Sequence, residues 1–318
     1  MTNRLPIAVY YEHQEWFRPL FAELDRRGTP YVALDGRNHR YDPGSNAIDY
    51  SLFFNRMSSS AYTRGNGQGI YHTANYLEHL ERIGVKIVNG RRAFAVETSK
   101  ALQLSLLASL SLSFPRTIVI NNPADAPKAA WEIGYPVIFK PNIGGAGAGI
   151  KRYDSAGALE FAVEDGQLDL GFHHTALIQE YVPPRGGFIT RVETLDREYL
   201  YAIRVFTSGE TFNLCPADAC QVPEIPDPAD ASCPVEAVKR GFRVEACDPP
   251  GDVIESVKRI VRAGEIDVGG IEYIVDDRDG RLMFYDINAL SNFVSDAPRI
   301  VGFDPHERLV DYLERRAF

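Results

Sequence analysis

The chain has 318 residues, of which 45% are hydrophobic and 24% charged, and its formal net charge is −9 at pH 7. These proportions are typical of a globular protein. The length predicts two domains, or one large domain that has sub-parts. The acidic balance argues against nucleic acid as the main partner, and the absence of a long apolar stretch argues against a membrane span. The first residues lack the apolar core of a signal peptide, so we expect a cytoplasmic protein with reduced thiols.

The first third of the chain alternates short apolar runs with segments of helical spacing. The predicted strands are Pro6–Tyr11, Tyr31–Asp35, Tyr50–Asn55 and Val85–Asn89, and the predicted helices are Glu15–Gly28 and Tyr71–Gly84. This order predicts a largely parallel sheet with helices on its faces. A domain boundary is expected near Arg91–Thr98, where Thr98 is the predicted cap of the next helix.

A different pattern follows the boundary. The strand Pro136–Lys140 runs into a loop with four glycines between Gly144 and Gly149, and a further strand-like run comes directly after it. Later, Ile189–Leu195 and Tyr199–Phe206 alternate apolar and polar residues on either side of a short turn, which predicts antiparallel pairing.

The glycine-rich loop has two interpretations. It lacks the Gly-Lys-Ser/Thr ending of a Walker loop, and it leads into a strand rather than the helix of a dinucleotide-binding motif. It is therefore either a hairpin lid whose bare N–H groups close over phosphates, or a plain mobile hairpin tip. The loop alone does not decide between them.

A second motif lies in the run from Gly269 to Phe293. Asp286 and Asn288 are two residues apart on one predicted strand, so they face the same side. A hairpin turn centred between Arg278 and Asp279 places Glu272 opposite Tyr285 or Asp286. Two carboxylates and an amide oxygen are ligands that suit Mg²⁺. The alternative is that these groups only satisfy turn or backbone atoms.

Several separated polar residues become informative together. Lys100, Lys140, Arg191 and Arg204 are each, taken singly, ordinary surface charges. Beside a Mg²⁺-type site and a phosphate-type loop they predict a clamp on a triphosphate and on a charged intermediate. The strand Leu177–Val182 is either an ordinary strand end or a hinge that offers Gln179 or Glu180 to an adenine edge.

Four cysteines fall within one short stretch. They are Cys215, Cys220, Cys233 and Cys247. Three interpretations are open: reduced thiols that serve as small hydrophobes, a zinc site of irregular spacing, or a cysteine at the border of a substrate pocket.

These features, in this order, resemble the ATP-grasp superfamily, and within it the RimK-type glutamate ligases and the glutathione-synthetase branch. The resemblance covers nearly the whole chain and rests on "FNRM" around Arg56, "VIFKPNIGGAGAGI", "IQEYV" and "IEYI…YDINALSN". It implies a Rossmann-like pre-ATP-grasp domain over residues 1–97, followed by a two-lobed ATP-grasp domain over residues 98–318. The lid lobe is expected at about 115–177 and the C-terminal lobe at about 178–318.

The same resemblance implies a carboxylate–amine ligase that uses ATP and Mg²⁺, with Mn²⁺ as the alternative metal, and forms an amide bond through an acyl phosphate. The implied site residues are Lys100, Lys140, Gly144, Gly145, Ala146, Gly147, Gly149, Gln179, Glu180 and Val182 for the nucleotide, Glu272, Asp286 and Asn288 for the metal, Lys140, Arg191 and Arg204 for catalysis, and Arg56, Arg64, His72 and Asn213 for the substrate. The expected partners are small-molecule or peptide carboxylates and amines, and a homo-oligomer is left open. The alternatives are a phosphotransferase that stops at a phosphorylated product and a nucleotide-binding regulatory protein without turnover.

Overall fold

The computed structural model describes residues 4–144, 149–206 and 243–318. Within these ranges the chain forms two four-stranded sheets and one five-stranded sheet. The first is parallel and the other two are antiparallel, so the predicted mixture of α/β and α+β structure is confirmed. In the same ranges no helix is long and apolar enough to cross a membrane.

The first sheet is parallel throughout, in the strand order β2-β1-β3-β4. This part of the chain consists of β1 (Ile7–Tyr11), α1 (Arg18–Arg27), β2 (Tyr31–Asp35), β3 (Leu52–Arg56), α2 (Gly67–Arg82), β4 (Ile87–Val88) and α3 (Arg91–Glu97). β1 is buried along its whole length, which explains its continuous apolar run. The strands end along one edge, where ligands bind in open α/β sheets, and Glu12 and Arg56 lie at this carboxyl edge.

The second sheet, called here the small sheet, has the order β5-β8-β6-β7. Its region consists of α4 (Lys100–Ser109), β5 (Thr117–Ile120), α5 (Ala126–Ile133), β6 (Val137–Pro141), β7 (Lys151–Tyr153), α6 (Ala156–Glu164) and β8 (Ala176–Glu180). β6 and β7 pair as an antiparallel hairpin that flanks the glycine-rich loop, as predicted. The cap of α4 is Ser99, not Thr98, because the Ser99 hydroxyl accepts from Leu102 N while Thr98 ends α3.

The third sheet, called here the large sheet, has the order β11-β10-β9-β12-β13. Its region consists of β9 (Phe188–Leu195), β10 (Glu198–Phe206), β11 (Val244–Cys247), α7 (Gly251–Ala263), β12 (Val268–Val275), β13 (Leu282–Asn288), α8 (Ala297–Val301) and α9 (Pro305–Ala317). Every pairing in it is antiparallel, which confirms the prediction from the alternating pattern.

The two faces of the large sheet pack against different partners. The front face carries Ile203 and Tyr285 and shares one core with the first sheet, α1 and α9. The back face carries Val192 and Ala202, which pack against α4 and α7. Because residues paired across neighbouring strands share a face, the register decides which side chains meet the front of the sheet.

Candidate active site

Three polar side chains meet on the hairpin of β12 and β13. Glu272 pairs with Asp286, one of the two partners, Tyr285 or Asp286, that the sequence predicted. The register shifts directly after Glu272, and the Tyr285 hydroxyl donates to the Glu272 carboxylate over 2.7 Å. Asn288 donates its side-chain amide to Asp286 over 3.0 Å. The set offers two carboxylates and an amide oxygen, a donor chemistry that fits Mg²⁺ bound together with phosphate oxygens.

Two lysines from other elements face this hairpin. Lys100, the first residue of α4, forms an ion pair of 2.7 Å with Asp286. Lys140, from β6 of the small sheet, is 5% exposed, and its ammonium lies 6.0 Å from the centre of the Tyr285 ring. The site therefore lies in a cleft between the small and the large sheet.

The charges of the cluster shift each other's protonation. Burial, followed by the charge of Lys100, lowers the pKa of Lys140 from 10.5 to about 7, although Asp286 and Glu272 act in the opposite direction. Burial, followed by the charge of Asp286, raises the pKa of Glu272. Burial alone would raise the pKa of Asp286, but Lys100, Lys140 and Asn288 together hold it below its ordinary value. Phosphate oxygens would favour the charged form of Lys140, and a divalent cation would favour ionised Glu272.

Asn142 fixes the two lysines relative to one another. Its carbonyl oxygen accepts from Lys100 N over 3.0 Å, and its side-chain oxygen accepts from Ala101 N over 2.8 Å and from the Ser99 hydroxyl over 3.2 Å. The start of α4 is thereby docked beside the end of β6. A pair of lysines held by backbone contacts loses little entropy when it meets an anion.

Arg191 lies at the front of the large sheet, enclosed by polar partners. It is 0% exposed, and it donates to Glu193 over 2.6 Å, to Glu272 over 2.9 Å and to the Ser291 hydroxyl over 3.3 Å. The sequence predicted that Arg191 and Arg204 take part in catalysis together with Lys140.

Arg204 does not share a face of the sheet with Arg191. In the register of β9 and β10, Arg191 pairs with Ile203 on the front face, whereas Arg204 pairs with Thr190 and points to the back. The Arg204 side chain is exposed and its guanidinium lies 4.8 Å from the centre of the Phe188 ring. The strands are adjacent as expected, but the two-residue period of a strand separates the arginines.

The predicted adenine hinge is β8 and the residues after it. Gln179 is 1% exposed and donates to the Thr117 hydroxyl over 2.8 Å. Glu180 accepts from Arg278 over 2.6 Å, and Val182 lies in the front core. These side chains are used for contacts within the protein, so their predicted role toward a nucleotide stays a prediction.

The glycine-rich loop is described at its two ends. The Gly144 carbonyl oxygen accepts from the Ser59 hydroxyl over 3.0 Å. Gly149 has a φ of 75°, and a Cβ there would lie 2.8 Å from the Pro141 ring, so the position requires glycine. Gly145, Ala146 and Gly147 lie outside the described residues.

The predicted substrate residues of the first sheet are already engaged. Arg56 is 2% exposed and donates to the Ser291 carbonyl and, over 2.8 Å, to the Asn292 side chain. Arg64 donates to Glu12 through two nitrogens and also to the Ser60 hydroxyl over 3.0 Å. Arg56 thus joins the first sheet to the segment after β13, while Arg64 and Glu12 form a buried ion pair at the carboxyl edge.

His72, also a predicted substrate residue, forms a pair with His39. Their facing ring nitrogens, Nε2 of His72 and Nδ1 of His39, lie 3.0 Å apart. Tyr10, Tyr41 and Tyr76 surround the His39 ring. Burial, then the neighbouring His72, lowers the pKa of His39 from 6.5 to about 4, and burial also lowers the pKa of His72.

This pair predicts a pH-dependent stability. The pKa of His39 is lower in the folded than in the unfolded protein. Its contribution to the free energy of unfolding is therefore fully present above pH 6.5 and is lost as the pH falls toward 4, because the unfolded chain takes up the proton first. We expect the free energy of unfolding to fall between about pH 7.5 and pH 5 by on the order of 2 kcal/mol more in the wild type than in His39→Phe. Urea unfolding of both proteins at the two pH values checks this, and equal pH dependence would contradict it.

The predicted substrate residue Asn213 and three of the cysteines, Cys215, Cys220 and Cys233, lie outside the described residues. Cys247 in β11 is a free, partly buried thiol, and burial raises its pKa. An unreactive thiol is the expected behaviour of such a residue.

Sequence reasoning missed several residues that build the site. Tyr285, Glu193, Asn142 and Glu97 all contact predicted site residues or their neighbours. Glu193 had a usable signal, because it stands two residues after Arg191 and therefore shares its face. Glu97 had none, since it accepts from Ala289 N and Leu290 N, which follow it by almost 200 positions in the chain.

Comparison with known proteins was made on the sequence and on the fold. No family model matches the chain. The large chain of carbamoyl phosphate synthase from Acidobacterium capsulatum is 31% identical over 106 residues, which are 32% of this chain and 9% of the relative. The D-alanine–D-alanine ligase of Haemophilus influenzae is 27% identical over 165 residues, 50% of this chain and 52% of the relative. The chain thus spans about half, or far less, of the length of these curated relatives.

Solved structures match over the whole chain. D-alanyl-alanine synthetase A from Vibrio cholerae superposes with a TM-score of 0.71 at 13% identity, covering 100% of this chain and 99% of the other. The ATP-grasp ligase PsnB, complexed with a precursor variant, Mg and ADP, gives a TM-score of 0.69 at 18% identity, covering 99% and 100%. This chain has the ATP-grasp fold. The family resemblance predicted from the sequence is therefore confirmed at the level of the fold.

The ATP-grasp fold accounts for the arrangement of the site. Its two antiparallel sheets enclose the cleft that contains Lys100, Lys140 and Asp286. Among the described residues no three His, Cys, Asp or Glu side chains cluster as a self-sufficient metal site. A cation at Glu272 and Asp286 would accordingly need further oxygen ligands, as Mg²⁺ bound with a nucleotide has.

Proposed function

We propose that this protein is an ATP-dependent carboxylate–amine ligase. A substrate carboxylate attacks the γ-phosphorus of ATP, which gives an acyl phosphate and ADP. An amine then attacks the acyl carbon, an amide bond forms and phosphate leaves. The observation that supports this most is the convergence of two lysines and two carboxylates in the cleft of an ATP-grasp fold.

The roles follow from charge and position. Lys100 and Lys140 bind phosphate oxygens, since Lys100 pairs with Asp286 of the proposed metal set and Lys140 lies close enough to be affected by the charge of Lys100. Glu272, Asp286 and Asn288 hold Mg²⁺, or Mn²⁺ as the alternative. When bound, the metal neutralises phosphate charge that would repel the incoming carboxylate.

Aligning the reactants and excluding water matter more here than a protein nucleophile. The loop Gly144–Gly149 acts as the lid over the phosphates, because water would otherwise hydrolyse the acyl phosphate. The domain limits 1–97 and 98–318 stay a prediction. The catalytic role of Arg204 stays a prediction, and its register places it on the face of the sheet opposite Arg191.

The carboxyl edge of the first sheet is the proposed substrate side. Arg64 lies there and is already neutralised by Glu12, with side chains 6% and 2% exposed. The proposed substrates are carboxylates and amines of the amino acid or peptide class, in line with the names of the relatives, a D-alanine–D-alanine ligase and an ATP-grasp ligase complexed with a precursor peptide. Arg56 supports this side indirectly, through the segment it holds.

A phosphate-release screen tests the proposal. The protein is incubated with ATP and Mg²⁺ across amino acids and dipeptides, and product masses are measured. Phosphate release with a product equal to the sum of acid and amine minus water supports the ligase. A product that gains the mass of a phosphoryl group would assign a phosphotransferase, and nucleotide binding without any product across the screen would favour a regulatory protein.

A further inference from the structure

The carboxylate of Glu272 is held from two sides by donors that the proposed chemistry does not use. Arg191 donates to one oxygen over 2.9 Å, and the Tyr285 hydroxyl donates to the other over 2.7 Å. We propose that Arg191 and Tyr285 are positioning residues that orient Glu272 toward the metal and that neither acts on substrate or phosphate. The inference rests on the proposed function, because it takes Glu272 as a metal ligand.

Arg191 is confined to this task by its surroundings. Its three side-chain nitrogens each donate to a protein acceptor, in Glu193, Glu272 and Ser291, and the side chain is 0% exposed. A guanidinium in this state presents no exposed edge to a phosphate or an acyl group in the cleft. Lys140 differs from Arg191 because it lies on the small sheet, and the groups near its ammonium are the Tyr285 ring and the charges of the large sheet and α4.

The space for this guanidinium comes from Gly270. A Cβ at Gly270 would lie 2.6 Å from the central carbon of the Arg191 guanidinium, so a side chain there would displace it. Gly270 stands on β12 between Glu193 on β9 and Asn288 on β13. The missing side chain thus leaves the space that the Arg191 guanidinium occupies at the centre of the front face.

Glu193 fixes the direction of the Arg191 guanidinium within that space. It accepts from Nε of Arg191 over 2.6 Å and is itself 0% exposed. Because the guanidinium is planar and rigid, holding Nε also aims Nη1, the atom that donates to Glu272. Arg191 lies between the carboxylates of Glu193 and Glu272. Glu193 has no proposed ligand role, and it sets the orientation of Glu272 through Arg191.

Tyr285 completes the arrangement from the other strand. The irregular register after Glu272 brings the Tyr285 hydroxyl to the same carboxylate that it neighbours in the hairpin. Donors behind a metal ligand usually orient it, and their loss typically costs about 10- to 100-fold in metal affinity or activity. Tyr285 is therefore expected to affect metal binding without contacting the metal.

The test measures ADP affinity with and without Mg²⁺ by calorimetry. In Tyr285→Phe we expect the gain in affinity that Mg²⁺ gives to fall about tenfold, with metal-free ADP binding unchanged. The matched control is Tyr273→Phe, a tyrosine of the same hairpin that is 6% exposed against 5% for Tyr285 and packs on the back face. The control should leave both affinities at wild-type values.

A second variant covers the other donor. Arg191→Lys keeps the charge but not the planar fork, and it should lower the Mg²⁺-dependent gain in the same way while thermal unfolding stays cooperative. If Tyr285→Phe keeps the wild-type gain, or weakens metal-free and Mg²⁺-ADP binding equally, the positioning role is wrong. If the wild type itself gains no ADP affinity from Mg²⁺, the metal site of the proposed function is wrong, and the inference falls with it.

Discussion

Asp286→Asn is expected to lower the turnover of ATP with its substrates by at least about 10³-fold, because a bound metal supplies several kcal/mol of charge stabilisation. Asparagine keeps the size and one oxygen of the side chain but removes the charge that pairs with Lys100 over 2.7 Å. Two effects then add: the metal loses an anionic ligand, and the Lys100 ammonium loses the partner that orients it.

The control for this variant lies on the same hairpin. Asp279→Asn changes an aspartate in the turn, where it contacts Arg281 over 2.6 Å and is well exposed. Turnover of Asp279→Asn should stay near the wild-type value, and both variants should unfold cooperatively. An Asp286→Asn protein with turnover within a few-fold of the wild type would remove Asp286 from the metal site.

Lys140→Ala is expected to reduce turnover by on the order of 10²-fold or more, as the loss of other preorganised charge-stabilising groups does. The lysine is buried near the end of β6, so fixed protein groups have already replaced most of the water around its ammonium before a phosphate binds. Burial, then Lys100, holds the pKa of Lys140 at about 7, and bound phosphates should raise it because they favour the charged form. ADP binding near neutral pH should therefore take up protons in the wild type.

Calorimetry in buffers of different ionisation enthalpy measures that proton uptake. Lys140→Ala should abolish the part that depends on this lysine. Lys151→Ala is the matched control, since Lys151 pairs with Phe139 on the neighbouring strand and is exposed. Equal turnover in Lys140→Ala and Lys151→Ala would show that Lys140 does not bind phosphate.

Most of the fold prediction depended on the local periodicity of apolar and polar residues. The alternation of residues predicted the antiparallel pairing of β9 with β10. The position of the turn predicted that Glu272 pairs with Tyr285 or Asp286, and Asp286 is the partner found. Both depend on residues close in the chain, where a period of two and a short turn leave little freedom.

Predictions that needed the face of a strand or a distant partner were weaker. Arg191 and Arg204 are on adjacent strands, yet an offset of one residue in the register puts them on opposite faces. Arg56 ends a strand at the carboxyl edge of the first sheet, and it donates to Ser291 and Asn292, more than 200 positions away. A sequence pattern does not encode such a contact, because it arises only when separate sheets pack together.

The segment Ala289–Asn292 has consequences for how this chain could be recombined. Its backbone and side-chain polar groups are bound by Glu97, Asn89 and Arg56, all of which precede residue 98, and also by Arg191 of the large sheet. A chimera that exchanged the first sheet for a foreign one would leave amides and carbonyls next to Asn288 without their partners, at a cost of about 1–3 kcal/mol for each one that stays buried. Such an exchange would therefore have to keep Asn89, Glu97 and Arg56 as partners of this segment.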